Sequence, residues 1–179
     1  MHTSHAHTGS LAFILATAFF LAPVSAQERC KVNDTGADST TKYVQQHMMD
    51  VGDVPGHQIR IAQLHTTFTD PKPNCEGLKP TESENYISTD YTDRNGNLHG
   101  YLVTTYDNGD KIFQRQEGTS QTVTNADGTK SSTLYAVVKY VGGTGKYKSI
   151  QGLARTIAAF DPVKNHVDAH TEGEYWIEK

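Results

Sequence analysis

Residues 140–152, YVGGTGKYKSIQG, decide between two folds for this chain. A glycine-rich stretch of this kind can be the phosphate-binding loop of a nucleotide enzyme. That loop needs a glycine, any four residues, and then Gly-Lys-Ser/Thr between a strand and a helix. Here Tyr147 follows Gly145 and Lys146, and Tyr140 occupies the place of the first glycine. The match fails at both ends, so the stretch predicts a tight corner between two strands, with one helical turn over residues 146–149.

The rest of the chain favours strands joined by short turns. Segments rich in β-branched and aromatic residues alternate with connectors built from Asn, Asp, Gly and Pro, which suit tight turns. We therefore expect about seven strands, joined mostly by antiparallel hairpins. The predicted strands cover residues 58–68, 85–92, 98–106, 111–123, 131–141, 150–160 and 167–177.

Side-chain alternation indicates which face of the sheet is buried. In the last predicted strand, the small and apolar residues share one face and the charged residues share the other, so one face is core and the other meets water. The core-facing set is Val167, Ala169, Thr171, Gly173, Tyr175 and Ile177. Residues 153–160 are apolar on both faces apart from Arg155 and Thr156, which suggests subunit contacts or a second layer outside the sheet.

A sheet of this many strands has edges that must be protected, and closing into a barrel protects them. We therefore predict an all-β fold: an antiparallel, closed β-barrel of about eight strands, whose interior is nearly filled or holds one small ligand. Residues 56–179 are assigned to this barrel domain. Residues 27–55 are polar and rich in turn residues, and they are predicted to form a loosely structured N-terminal arm.

The first 26 residues have the pattern of a cleaved signal peptide. An unbroken apolar run, LAFILATAFFL at residues 11–21, is followed by small residues, and cleavage is expected after Ala26. The run is about half the length needed to span a bilayer, so no membrane anchor is expected. The sequence therefore predicts a secreted or periplasmic protein.

The net charge argues against two classes of partner, and the two cysteines indicate a disulfide. The formal net charge is -4 with no cluster of Lys or Arg, which argues against nucleic acid or anionic membranes as partners. Cys30 and Cys75 are the two cysteines, and in an exported protein such a pair is expected to form a disulfide. By the chain-entropy relation, closing a loop of roughly 45 residues stabilises the fold by up to about 4 kcal/mol.

Several motifs near the C-terminus resemble the second half of dirigent proteins. They are Asp127-Gly128, Ser132-Thr133-Leu134, the corner VGGTGKYKSIQGLA and the final segment EGEYWIEK, in the order and spacing of that family. The resemblance covers residues 127–179. It implies the calycin-like barrel that dirigent proteins share with allene oxide cyclases, and a homo-oligomer, specifically a trimer. Residues 149–152 replace the family's usual Ala-Arg-Gly, and the resemblance carries over no catalytic residue.

A set of aromatic and charged residues on neighbouring predicted strands is the candidate ligand site. Phe113, Arg115 and Glu117 share one face of a strand, and a charged pair on a core-facing stripe is costly unless it is paired or touches a ligand. The carboxyl group of such a pair is also expected to have a shifted pKa, which would suit it to act as an acid on a substrate. The candidate ligand-binding residues are Tyr91 (or Tyr86), Tyr101, Phe113, Arg115, Glu117 and Tyr175. In the alternative interpretation, Lys111, Arg115 and Glu117 face water while Ile112 belongs to the core.

The sequence predicts no metal, no cofactor and no catalytic residue. His166 and His170 lie about 13 Å apart if they are on a strand, which is too far for one ion. His65 lies beside Thr66 and Thr67, but no nucleophile motif such as G-x-S-x-G accompanies it, so a catalytic triad is not predicted.

Three functions are consistent with these observations. The first is an exported protein that binds a small apolar or aromatic molecule; the resemblance implies that it would orient a reactive species, as dirigent proteins do. The second is a cofactor-free isomerase or cyclase with an acid or base in the barrel cavity. The third is a solid barrel whose outer face acts as an extracytoplasmic protein-interaction module. A filled interior would favour the third, because it leaves only the outer surface for binding.

Overall fold

The computed structural model describes residues 27–35, 39–161 and 166–179; the predicted signal peptide lies outside these ranges. The described chain forms nine strands and one short 3-10 helix, Gly145–Tyr147. The strands are β1 Cys30–Asp34, β2 Ser39–Asp50, β3 His57–Phe68, β4 Pro80–Thr92, β5 Asn95–Tyr106, β6 Lys111–Thr124, β7 Lys130–Gly143, β8 Ile150–Asp161 and β9 His166–Ile177. Within the same ranges, no helix is long and apolar enough to cross a bilayer.

All nine strands belong to one antiparallel sheet, in the order β1-β9-β8-β7-β6-β5-β4-β3-β2. The all-β prediction is confirmed, and each of the seven predicted strands is present. The hairpin between β4 and β5, predicted to turn within residues 93–97, turns through Asp93 and Arg94, which both have positive φ (50° and 66°). Two such residues in succession match the right-handed twist of the flanking strands.

The prediction of a closed barrel of about eight strands is wrong, because the described residues form one sheet of nine strands that begins at β1 and ends at β2 without closing. The predicted N-terminal arm is also wrong. Residues 30–34 pair with β9 and residues 39–50 pair with β3. The polar composition that suggested an arm has a simpler cause: β2 is an edge strand, and nearly all of its residues are exposed.

The two edges nevertheless lie near each other at one end of the sheet. Strand β1 ends at Asp34 and β2 begins at Ser39, five residues later. A chain extends by at most about 3.6 Å per residue, so these two ends are within about 18 Å. Strands are spaced about 4.8 Å apart, so the edges of a flat sheet of this size would be about 38 Å apart. The sheet is therefore strongly curled and has an inner and an outer face.

The inner face carries the core, in two clusters. The larger cluster consists of Cys30, Ile112, Val138, Tyr140, Tyr147, Ile150, Ala154 and Tyr175. The smaller one consists of Ala62, Ile87 and Leu98, with Leu64, Tyr91 and Leu134 packed against it. The alternation predicted for the last strand is consistent with this arrangement, because Tyr175 of β9 is only 3% exposed.

A loop of residues 70–79, here called the cap loop, packs on the larger cluster. The predicted disulfide between Cys30 and Cys75 is confirmed and joins this loop to β1. The Asn74 side-chain oxygen accepts hydrogen bonds from the backbone N–H groups of Glu76 (3.1 Å) and Leu78 (3.0 Å). These bonds fix the shape of the loop over the core.

Two core tyrosines bind the cap loop through their hydroxyl groups. The Asn74 amide donates to the Tyr147 hydroxyl oxygen at 2.6 Å, and the Tyr175 hydroxyl donates to the Glu76 carboxylate. Burial raises the pKa of Tyr147 to about 12, and burial together with the bond to Glu76 raises the pKa of Tyr175 further. Both tyrosines therefore stay neutral and serve as hydrogen-bond donors or acceptors at physiological pH.

The corner at residues 143–149 joins β7 to β8, as predicted. The backbone N–H of Lys146 donates to the Asp110 carboxylate at 3.1 Å, and Thr144 exchanges two hydrogen bonds with Lys111. The N–H group of Lys146 is therefore used by a carboxylate of the protein itself. The corner also places Tyr147, which is fully buried, beneath the cap loop.

Candidate functional site

Antiparallel pairing aligns side chains in rows across the outer face, because directly paired residues point to the same side of a sheet. Two neighbouring rows on β2 to β6 enclose an open groove of about 460 Å³, here called the outer groove. The first row is Gln45, Gln63, Tyr86, Tyr101 and Arg115, and the second is His47, Ile61, Ser88 and His99.

Most of the exposed surface area inside the outer groove is apolar, although several of the lining side chains are polar. Ile61 is 63% exposed, Tyr86 is 46% exposed and Tyr101 is 36% exposed. The ring of Phe113 lies 6.4 Å from the ring of Tyr101 and extends this surface. Antiparallel sheets that face water usually present polar side chains there. The outer groove is therefore a surface that gains stability when something covers it.

The basic end of the outer groove is formed by Arg115. Its direct neighbours across the sheet are Tyr101 on β5 and Lys139 on β7. Among the residues that the structure describes, neither Arg115 nor Lys139 makes an ion pair. Glu117, two residues along β6, lies opposite His99 and Val137.

The residues predicted to form one ligand site lie on two faces. Tyr101, Phe113, Arg115 and Glu117 are on the outer face, whereas Tyr91 and Tyr175 are on the inner face. On β6 the buried positions are Ile112, Gln116 and Ser120, so the odd-numbered residues point outward. This placement agrees with the alternative interpretation, in which Arg115 and Glu117 face water and Ile112 belongs to the core.

The two inner tyrosines of the predicted set belong to the packed core. Tyr175 is bound by Glu76 of the cap loop, and its ring lies 5.4 Å from the ring of Tyr140. Tyr91 packs on the smaller cluster, and burial raises the pKa of its hydroxyl group. Neither side chain reaches the outer groove.

Ile61, His47 and His99 line the outer groove but were not predicted, and Tyr86 was considered only as a substitute for Tyr91. Their positions follow from strand register. The two-residue turn at Asp93 and Arg94 sets β4 against β5 so that Tyr86 lies directly opposite Tyr101. Turn position fixes the register of a hairpin, but the sequence pattern left the turn open within residues 93–97, so this pairing was not predicted.

A second polar cluster lies on the outer face of β3 and β4. His65 Nδ1 is 2.7 Å from a Glu84 carboxylate oxygen, and Thr67 Oγ1 is 3.3 Å from His65 Nε2. Gln63 donates to the other Glu84 oxygen at 2.9 Å, and this bond, followed by the one from His65, lowers the pKa of Glu84. Sequence reasoning missed this cluster, because Glu84 and His65 are brought together only by strand pairing.

This hydroxyl–imidazole–carboxylate order is also found in hydrolases, where additional donors stabilise an oxyanion. Thr67 is paired with Thr40 on one side and Glu82 on the other, so its own backbone groups are used within the sheet and do not supply such donors. In the described part of the chain, no group of three or more His, Cys, Asp or Glu side chains could hold a metal ion.

His57 bridges two carboxylates at the turn between β2 and β3. Its Nδ1 atom is 2.6 Å from Asp53 and its Nε2 atom is 2.8 Å from Asp90. An imidazole donates from both nitrogens only when it is protonated. The hydrogen bonds to Asp90 and then Asp53 accordingly raise the pKa of His57.

This bridge predicts pH-dependent stability. A raised pKa contributes stability that is fully present below the unfolded value of about 6.5 and is lost as pH rises through the folded value. We expect His57→Gln to lower the urea midpoint more at pH 5.5 than at pH 8.5, with His47→Gln on exposed β2 as the control. An equal loss at both pH values would show that the bridge does not depend on protonation.

Comparison of the chain with protein-family models, with curated proteins and with solved structures finds no match in any of the three. The similarity of residues 127–179 to dirigent proteins therefore stays a prediction based on those residues.

Proposed function

We propose that the protein is a binding protein that holds a small apolar or aromatic molecule in the outer groove. The observation that carries this proposal is the apolar wall formed by Ile61, Tyr86 and Tyr101 around a space of about 460 Å³. Sites for small molecules usually measure about 300–1,000 Å³ and combine apolar walls with a few polar groups. The proposed class of ligand is the one predicted from the sequence, but the proposed site lies on the outer face of the sheet and not inside it.

The packing of the inner face supports this change of site. Ile112, Tyr147 and Ile150 fill the interior beneath the cap loop and are almost completely buried. Farther along the inner face, the Gln116 amide donates to Asn85 at 2.9 Å. Polar interior atoms are thus bonded to one another. The outer groove, by contrast, presents apolar side chains that have no cover in the described chain.

Substitution of Tyr101 tests the proposal. The neutral dye N-phenyl-1-naphthylamine fluoresces when it enters an apolar site and serves as the probe. Loss of one aromatic wall is worth about 1.4 kcal/mol, so we expect Tyr101→Ala to raise the dissociation constant about tenfold. Tyr135→Ala is the matched control, because Tyr135 is a similarly exposed tyrosine on β7 that lies outside the outer groove.

Two results would contradict the proposal. One is the absence of saturable binding of the dye by the wild-type protein. The other is an equal loss of affinity in the Tyr101→Ala and Tyr135→Ala variants, since this would show that the dye adheres to exposed aromatic side chains without preference for the outer groove.

A second candidate function is protein interaction through the same outer face. Exposed apolar side chains continue across β7 and β8 at Tyr135, Val137, Leu153 and Ile157. Exposed apolar side chains of this kind favour association with another protein surface, including a second copy of the chain. The homo-oligomer implied by the resemblance to dirigent proteins stays a proposal on this basis. Sedimentation equilibrium of the purified protein would test it, and a monomer at micromolar concentration would argue against it.

A further inference from the structure

We propose that the ligand of the outer groove is an organic anion, specifically an aromatic or apolar carboxylate. Its apolar body would lie against Tyr86 and Tyr101, and its carboxylate would bind Arg115 and Lys139. This inference rests on the proposed function, and it adds the charge of the ligand and the residues that recognise it.

The placement of the two cations follows from strand register. Tyr101, Arg115 and Lys139 are consecutive members of one row across β5, β6 and β7. Side chains that are directly opposite in antiparallel strands have Cβ atoms about 5 Å apart. The guanidinium and ammonium groups therefore extend from neighbouring positions at one end of the aromatic wall.

This pair of cations lacks a counter-ion in the described chain. Like charges directly opposite each other destabilise a sheet, so the arrangement is unfavourable without an anion. Glu117 is close in sequence, but it makes no ion pair with Arg115. On the far side of the same outer face, Arg155 lies opposite Glu172 and Lys31 lies opposite Glu174 in the strand register. Arg115 and Lys139 have no acid directly opposite them: their neighbours in the row are Tyr101, each other and Leu153.

The chemistry of these side chains selects a carboxylate with an attached apolar body. A guanidinium group donates two parallel hydrogen bonds to a carboxylate and also stacks on aromatic rings. Lys139 adds a second positive charge without a fixed geometry. Tyr86 and Tyr101, paired directly across β4 and β5, offer ring surface next to this anion site. The ligand class is thus a small molecule with one anionic end.

Two dyes that share one skeleton test the inference. 1-Anilinonaphthalene-8-sulfonate carries a sulfonate, and N-phenyl-1-naphthylamine has the same ring system without charge. For exposed charges that act together, we expect the double variant Arg115→Gln/Lys139→Gln to weaken binding of the anionic dye about tenfold. Binding of the neutral dye should change less than about twofold, because its contacts are apolar. Lys130→Gln, a basic residue at the start of β7 and away from the outer groove, is the control and should leave both dyes unaffected.

The outcomes separate this inference from the proposed function. If the double variant weakens both dyes equally, or neither, while Tyr101→Ala still weakens both, the outer groove binds small molecules but does not recognise an anion. If Tyr101→Ala affects neither dye, the proposed function is wrong and the inference about charge is wrong with it. Without dye, the double variant should unfold at the same temperature as the wild-type protein or at a higher one, because the substitutions remove the repulsion between two exposed cations.

Discussion

Replacing both cysteines with serine is expected to lower the free energy of unfolding by about 4 kcal/mol, the largest effect we predict for this chain. The disulfide closes a loop with a sequence separation of 45 residues. Its removal increases the conformational entropy of the unfolded chain and so favours unfolding. It also releases the cap loop, whose contacts with Tyr147 and Tyr175 depend on the loop being held near β1.

Urea unfolding and hydrogen exchange measure these two effects separately. We expect the variant to show a lower urea midpoint and faster exchange at the backbone amides of Tyr147 and Ile150, which lie beneath the cap loop. Glu76→Gln is the control that keeps the disulfide while removing the charge bound by Tyr175. A loss of less than about 1 kcal/mol would mean that the unfolded chain is already compact in this region.

Replacing Gly143 with alanine is expected to cost about 3 kcal/mol, because a methyl group at this position meets backbone that cannot move away. An added Cβ atom would lie 2.3 Å from the Lys111 carbonyl oxygen and 2.6 Å from the Tyr147 Cβ atom. Lys111 belongs to the β6 ladder and Tyr147 is fully buried, so relief requires displacement of the core.

A substitution at a second glycine, Gly109, distinguishes the energetic cost of steric conflict from that of backbone conformation. Gly109 has a φ of 84° and no atom within 4 Å of an added Cβ. Gly109→Ala should therefore lower the free energy of unfolding by about 1 kcal/mol, the cost of placing an alanine in the left-handed backbone conformation. The difference between the two variants in free energy of unfolding, measured with urea, is the loss caused by crowding at the corner. Equal losses in both variants would mean that the corner relaxes around the new methyl group.

Local patterns in the sequence predicted much of the secondary structure. The Asp, Asn and Gly of residues 93–97 indicate a hairpin, although not its exact turn, and alternation in β9 identifies its buried face, because both signals depend on neighbours in the chain. The buried face of β6 was harder to predict. Phe113, an aromatic residue that suggested the inside, points outward, while the polar Gln116 is buried.

The remaining features depend on contacts between distant residues. Whether the sheet closes depends on how its edges meet, and nothing local to β1 or β2 specifies this. The cap loop reaches the core through Asn74 and Tyr147, which are 73 positions apart. The outer groove combines side chains from five strands, so it could be predicted only if every register were known.

The pairing of β1 with β9 has a consequence for biosynthesis. Cys30 lies opposite Tyr175, so the first described strand finds its partner only after about 140 further residues have been synthesised. Contacts between such distant positions slow folding, because a long loop must be ordered before they form. During translation, β2 to β8 can pair in succession, while β1 has no neighbour and Cys30 stays accessible to oxidants. Completion of the sheet therefore waits for the synthesis of β9, and chains truncated before β9 cannot reach the native state.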